Sequence, residues 1–155
     1  MTAPLSRRIA GPIAALGLCL AALPATAGMV TVESPHSVSV TLDRLAAALE
    51  KAGATVFARV DHGASAERVE QPIGASQLLI FGNPKLGTPV MVASPTAGLD
   101  LPMRVLAYDG PDGTVMVYHD PADLAAAHGV PADHPSIVKM TGALGKLTGA
   151  AAAAE

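Results

Sequence analysis

The chain has 155 residues, half of them apolar, with 3% aromatics, no Trp and a formal charge of −3. Mild acidity without a Lys/Arg cluster excludes nucleic acid as a partner, and the scarcity of aromatic rings removes the stacking platforms that single strands need. The length suits one domain whose core is built from Val, Leu, Ile, Ala and Met.

The first 27 residues read as an export leader. Arg7 and Arg8 precede the uncharged apolar run Ile9 to Leu23, and Ala25-Thr26-Ala27 supplies the small residues of a cleavage site. The run is short for a membrane span of about 20 residues. An uncleaved anchor stays open as the alternative, whereas after removal of the leader no stable membrane insertion is expected. Ser6-Arg7-Arg8 hints at twin-arginine export, but Ile9-Ala10-Gly11 lends it little support. Cleavage after Ala27 leaves 128 residues from Gly28, takes the charge to −5 and removes Cys19, the single cysteine. That excludes disulfides, a thiol nucleophile and cysteine-ligated metal. The expected location is the periplasm or the exterior of the cell.

Met29 to Glu33 alternates apolar and polar residues as a short strand does. Leu42, Leu45, Ala46 and Leu49 then fall at i, i+3, i+4 and i+7, the buried stripe of a helix ending near Ala52, with Gly53 placed as its C-terminal cap. Ala54 to Asp61 returns to period two, with Val56, Ala58 and Val60 expected on one face and Thr55, Phe57, Arg59 and Asp61 on the other. Arg59 is within reach of Asp61 as a solvated strand pair. Gly63 to Val69 holds room for a helical turn. Gln77 to Phe81 is a compact apolar strand stopped by Gly82-Asn83-Pro84.

Lys85 to Ala93 is ambiguous, because Pro89 can open a helical turn while Pro95 and Gly98 bound a loop. Met103 to Tyr108 and Thr114 to Tyr118 form a hairpin across a Gly/Pro/Asp turn. Asp120-Pro121 caps a helix closed by Gly129. A last helix spans Pro135 to Lys146, with Ile137, Met140, Leu144 and Leu147 on one side, followed by a frayed Ala-rich tail at 150–154. This order predicts a single α+β domain: an antiparallel sheet of four to five strands with helices on one face.

The pieces Thr41-x3-Leu45, Val56-Phe57-Ala58-Arg59-Val60-Asp61-His62, Gln77-Leu78-Leu79-Ile80-Phe81-Gly82-Asn83-Pro84, Gly87-Thr88-Pro89, Asp100-Leu101-Pro102 and Asp120-Pro121 follow one another along the chain. In this order they resemble the family named domain of unknown function 302, over roughly Val32 to Val130. The resemblance implies a TATA-binding-protein-like fold, β-α-β(4)-α; residues 131–155, read as a C-terminal helix and tail, lie outside it. It supplies no activity, and the cofactor is left unknown.

Polar residues at strand ends are where sites sit. Asp61-His62 combines a carboxylate with an imidazole fit for general-base work, although Asp61 also suits a capping role in a structural turn. Gly82-Asn83-Pro84 specifies a rigid turn, and Asn83, Lys85 and Thr88 offer donors to a ligand. A phosphate loop is excluded because G-x-x-x-x-G-K-[ST] is missing.

His36, His62, His119, His128 and His134 include no helical H-x-x-x-H pair, and no metal site is assigned. No G-x-S-x-G occurs, and Ser76 and Ser94 have no partnered context. The site residues are therefore Asp61, His62, Asn83, Lys85 and Thr88, converging on a shared rim, with Phe57, Met91 and Leu101 lining an apolar pocket. The function expected is binding of a small ligand or a partner protein. The alternatives are a hydrolase or isomerase with His62 as base, and a homodimeric structural module.

Overall fold

The computed structural model describes residues 28–154. The leader assignment and Cys19 lie outside them. Strands β1 (Met29–Ser34), β2 (Thr55–Asp61), β3 (Ser76–Gly82), β4 (Met103–Gly110) and β5 (Gly113–His119) form one sheet in the order β1-β5-β4-β3-β2. Every neighbouring pair is antiparallel. Five helices accompany it: α1 (Val38–Lys51), α2 (His62–Glu67), α3 (Pro84–Ala93), α4 (Pro121–Ala127) and α5 (Pro135–Ala152), with a 3₁₀ turn at Pro95–Leu99. The expected α+β class, the five antiparallel strands and the single-domain organisation all stand.

Register and burial agree on which sheet face is the core. Val32 pairs with Met116, Met116 with Ala107, and Leu79 with Val105, so these side chains share one face. Leu79, Val105, Ala107 and Met116 are all buried. Over them lies α1, whose Leu42, Leu45 and Leu49 are buried at the predicted helical spacing. Each such leucine contributes roughly 1.5–3 kcal/mol of transfer free energy. Ile137, Met140 and Leu144 of α5 complete the layer. The opposite face carries Leu78, Ile80, Leu106, Val115 and Val117, all half-buried.

Three expectations need correction. The first concerns β2. A bulge between Val56 and Ala58 leaves Phe57 as the extra residue and switches the alternation. Val56 opposes the buried Phe81, so it turns inward, whereas Ala58 and Val60 turn outward opposite Ile80 and Leu78. Arg59 thus points over the core face. It bonds Asp43 and the Ser39 carbonyl of α1, as well as Gln77 Oε1 at 2.6 Å. Its link to Asp61 runs through Gln77, whose Nε2 donates to Asp61 Oδ2 at 3.0 Å.

The second correction concerns α3, which is a continuous helix with Pro84 in its first turn and Pro89 inside it. The third concerns the tail. Helix α5 continues to Ala152 and buries Ala151. Its last carbonyls are capped from α1: Arg44 Nε donates to Ala151 O at 3.0 Å and Arg44 Nη2 to Ala153 O at 2.9 Å. Helix ends leave such carbonyls without helical partners, and a cation there also opposes the helix dipole.

Candidate functional site: an apolar cavity beneath α3 and α5

Small residues leave a space that the aromatic-poor core does not fill. Ala52, Ala54, Gly82, Gly87 and Ala143 border a cavity of about 380 Å³ between one end of the sheet, α3 and α5. The rest of its wall is apolar: Leu49, Phe57, Phe81, Leu86, Met91, Leu101, Met103, Met140, Leu144 and Leu147, with the two prolines Pro84 and Pro102. The polar side chains among its lining residues are those of Asn83 and Thr88.

Local sequence sets this geometry. Gly82 lets the wall close tightly, because a Cβ there would lie 3.2 Å from Pro102 Cβ and 3.3 Å from Phe57 Cε2. The residue before proline is held extended, and Asn83 sits at φ −128°, ψ 115°. From there its Oδ1 accepts the Lys85 N–H at 2.9 Å, capping α3, while its Nδ2 donates to Gly53 O at 3.1 Å. Gly53 follows α1 with φ +78°, the left-handed conformation expected of its cap. One amide therefore ties the end of α1 to the start of α3 at the cavity rim.

The five polar residues expected to converge do not. Asp61 pairs with Gln77 at the start of β3, and Thr55 pairs with Gly82 at its end. Five residues of strand, roughly 17 Å, separate the two ends. Asn83 and Thr88 line the cavity, the exposed Lys85 contributes its backbone to the Asn83 cap, and neither Asp61 nor His62 reaches the wall.

Asp61 is the N-cap of α2, accepting from Ala64 N at 2.8 Å. That bond, followed by the Gln77 amide and the nearby Arg59 and Arg68, holds its carboxyl below the ordinary 3.8. His62 is exposed on the first residue of α2. Phe57, Met91 and Leu101, the expected pocket lining, are all in the wall. The contribution of α5 was missed, although the stripe Met140, Leu144, Leu147 was visible in its period.

Met103 also borders a second hollow of about 190 Å³, with Asp100, Arg104, His119 and Asp123 around it. Beside it, His128 Nε2 lies 2.8 Å from Asp100 Oδ2. This bond, reinforced by Arg104, keeps the Asp100 carboxyl below its usual 3.8. Among the described residues, no three His, Cys, Asp or Glu side chains gather as a metal-binding group.

Fold and cavity together define a single-domain α+β protein with a half-open apolar chamber walled on one side by its C-terminal helix. The sequence pattern described as Domain of unknown function DUF302 matches residues 30–153, and the chain belongs to that family. The match takes in α5, so the family domain reaches past the 32–130 legible from motifs and includes that wall of the chamber.

In fold the chain is similar to the crystal structure of an uncharacterized conserved DUF302 protein from Bacillus stearothermophilus. The TM-score is 0.73 at 18% identity, covering 79% of this chain and 97% of that one. In sequence it is similar to proteins named Fluoride-specific ion channel FluC 1. In Brucella suis biovar 1 (strain 1330) it is 48% identical over 102 residues, 65% of this chain and 40% of that protein. The Brucella abortus biovar 1 (strain 9-941) protein is likewise 48% identical, with 38% of its length covered. The chain thus spans about two fifths of the curated relatives it matches.

Proposed function

We propose that this domain binds a small, uncharged, largely apolar molecule in the chamber beneath α3 and α5. One observation carries the reading: a cavity of about 380 Å³ whose lining residues include no charged side chain. Ligand sites fall in the range of about 300–1,000 Å³ and are mostly apolar with few polar groups. Asn83 is committed to its two backbone partners. Thr88 is therefore the hydroxyl left to orient a ligand, and an ionised headgroup inside would carry an uncompensated desolvation cost.

The leader-like residues 1–27 support work outside the cytoplasm, where lipids and other apolar metabolites need carriers or sensors. No helix among the described residues is long and apolar enough to cross a membrane, and the match to the named channels spans only part of them. Ion conduction is accordingly no part of this proposal. Catalysis by His62 has no support from its exposed position away from the chamber.

Native mass spectrometry of the protein isolated from its own cells tests the reading. A retained neutral, solvent-extractable mass is expected. Consistently empty protein that also takes up no added apolar probe would contradict it.

A further inference from the structure

Thr96, Ser94, His128, Asp100 and Arg104 form a directed chain of hydrogen bonds that the chamber does not use. Arg104 Nη2 donates to Asp100 Oδ1 at 3.2 Å, and the other Asp100 oxygen lies 2.8 Å from His128 Nε2. His128 Nδ1 lies 3.1 Å from Thr96 Oγ1, which in turn lies 3.0 Å from Ser94 Oγ. The His128 side chain is only 9% exposed, while Thr96 is open to solvent.

The directions follow from chemistry. An ionised carboxylate only accepts, so the Nε2 facing Asp100 carries the imidazole proton. A general base acts with its ring neutral, and in that form Nδ1 presents a lone pair to the Thr96 hydroxyl, which donates to it. Ser94 is left to donate to Thr96 Oγ1. A hydroxyl whose proton is held by a nearly buried imidazole, itself oriented by the half-exposed Asp100 carboxylate, is the activated-nucleophile arrangement.

We propose that Thr96 is an acyl-accepting nucleophile with His128 as its general base and Asp100 as the group that positions His128, acting on small carboxylic esters at the surface beside α4. This is independent of the chamber. Thr96 Oγ1 attacks the ester carbonyl carbon while its proton passes to His128 Nδ1. The carbonyl–oxygen bond to the alcohol breaks, and that proton leaves with the alcohol. Water then attacks the acyl–threonine, His128 takes the water's proton and returns it to Thr96 Oγ1, and the acid departs. Ester plus water gives acid plus alcohol. Val92 and Leu99, 78% and 82% exposed, flank Thr96 in the chain and offer apolar surface to the acyl group.

The experiment is hydrolysis of p-nitrophenyl acetate and butyrate by the folded domain, with mass analysis after a fluorophosphonate. Release above the buffer rate and a single adduct on the peptide bearing Thr96 are expected. Thr96→Val, which keeps the shape and loses the hydroxyl, should fall to the buffer rate and take no adduct. Thr96→Ser should retain activity. His128→Ala should lose about 10²–10⁴-fold, the usual worth of a positioned base. Folded wild-type protein that neither releases p-nitrophenol nor takes the adduct overturns the proposal and leaves the chain as a structural latch between the 3₁₀ turn and α4. Equal rates in wild type and Thr96→Val also overturn it. Neither result touches the chamber reading, which is scored by apolar probe binding.

Discussion

Asn83 Nδ2 donates to the carbonyl oxygen of Gly53 at 3.1 Å, joining the end of α1 to the start of α3 across the cavity rim. The same side chain caps α3 through Lys85 N. Asn83→Ala removes both bonds. A lost N-cap costs about 0.5–2 kcal/mol, so thermal unfolding should fall by several degrees. Affinity for an apolar probe should fall with it, because α3 forms one wall of the cavity. Calorimetry and probe titration on one preparation check both.

Arg44 holds the end of α5 through the carbonyls of Ala151 and Ala153. Arg44→Ala should destabilise the domain by roughly 1–2 kcal/mol, in the range of charge-assisted hydrogen bonds. It should also speed amide exchange across residues 148–152 while leaving β3 and β4 protected. Hydrogen exchange read by mass spectrometry shows whether the loss is local.

Asp61 and Asp100 both titrate below the ordinary 3.8 in the folded chain. The unfolded chain therefore binds more protons in the window from about 3.8 downward. Their contribution to stability is fully present above that window and is lost as pH falls through the folded values. Asp100→Asn should lower stability at neutral pH and flatten the acid limb of the stability curve. Denaturant melts at a series of pH values between neutral and strongly acidic measure this. A limb unchanged in both Asp61→Asn and Asp100→Asn would contradict it.

What the sequence made legible follows the strength of each local signal. The stripe Leu42, Leu45, Leu49 gave α1, since a 3.6-residue period survives unless proline or glycine interrupts it. Gly53 and Gly129 marked helix ends and take φ +78° and +66°. The faces of β2 were misread because one bulged residue, Phe57, reverses a period-two pattern, and nothing local announces a bulge. Helix α3 was ambiguous because Pro89 lies inside it.

The Ala-rich end of α5 looked unsupported because its partner, Arg44, lies more than a hundred residues away. The same long-range blindness split the candidate site. Phe57, Met91 and Leu101 are apolar residues expected to line a pocket, and they do, whereas grouping Asp61 and His62 with Asn83 requires two turns to share one end of the sheet. An antiparallel pairing places them at opposite ends. His128 meets Asp100 and Thr96 across 28 and 32 residues, beyond the reach of any local motif.

Gly87 tests the chamber most directly. It lines the wall, and a Cβ built there meets only Leu101 Cδ1, at 3.8 Å. Gly87→Phe should therefore send its ring into the empty volume without strain. Replacing a helical glycine should also recover some of the roughly 1 kcal/mol that glycine costs. The measurement is fluorescence titration of wild type and Gly87→Phe with the neutral probe N-phenyl-1-naphthylamine. Saturable binding by wild type, reduced at least tenfold in a variant that melts no lower, is the predicted result. Equal binding by both proteins, or none by either, would contradict an apolar ligand site beneath α3 and α5.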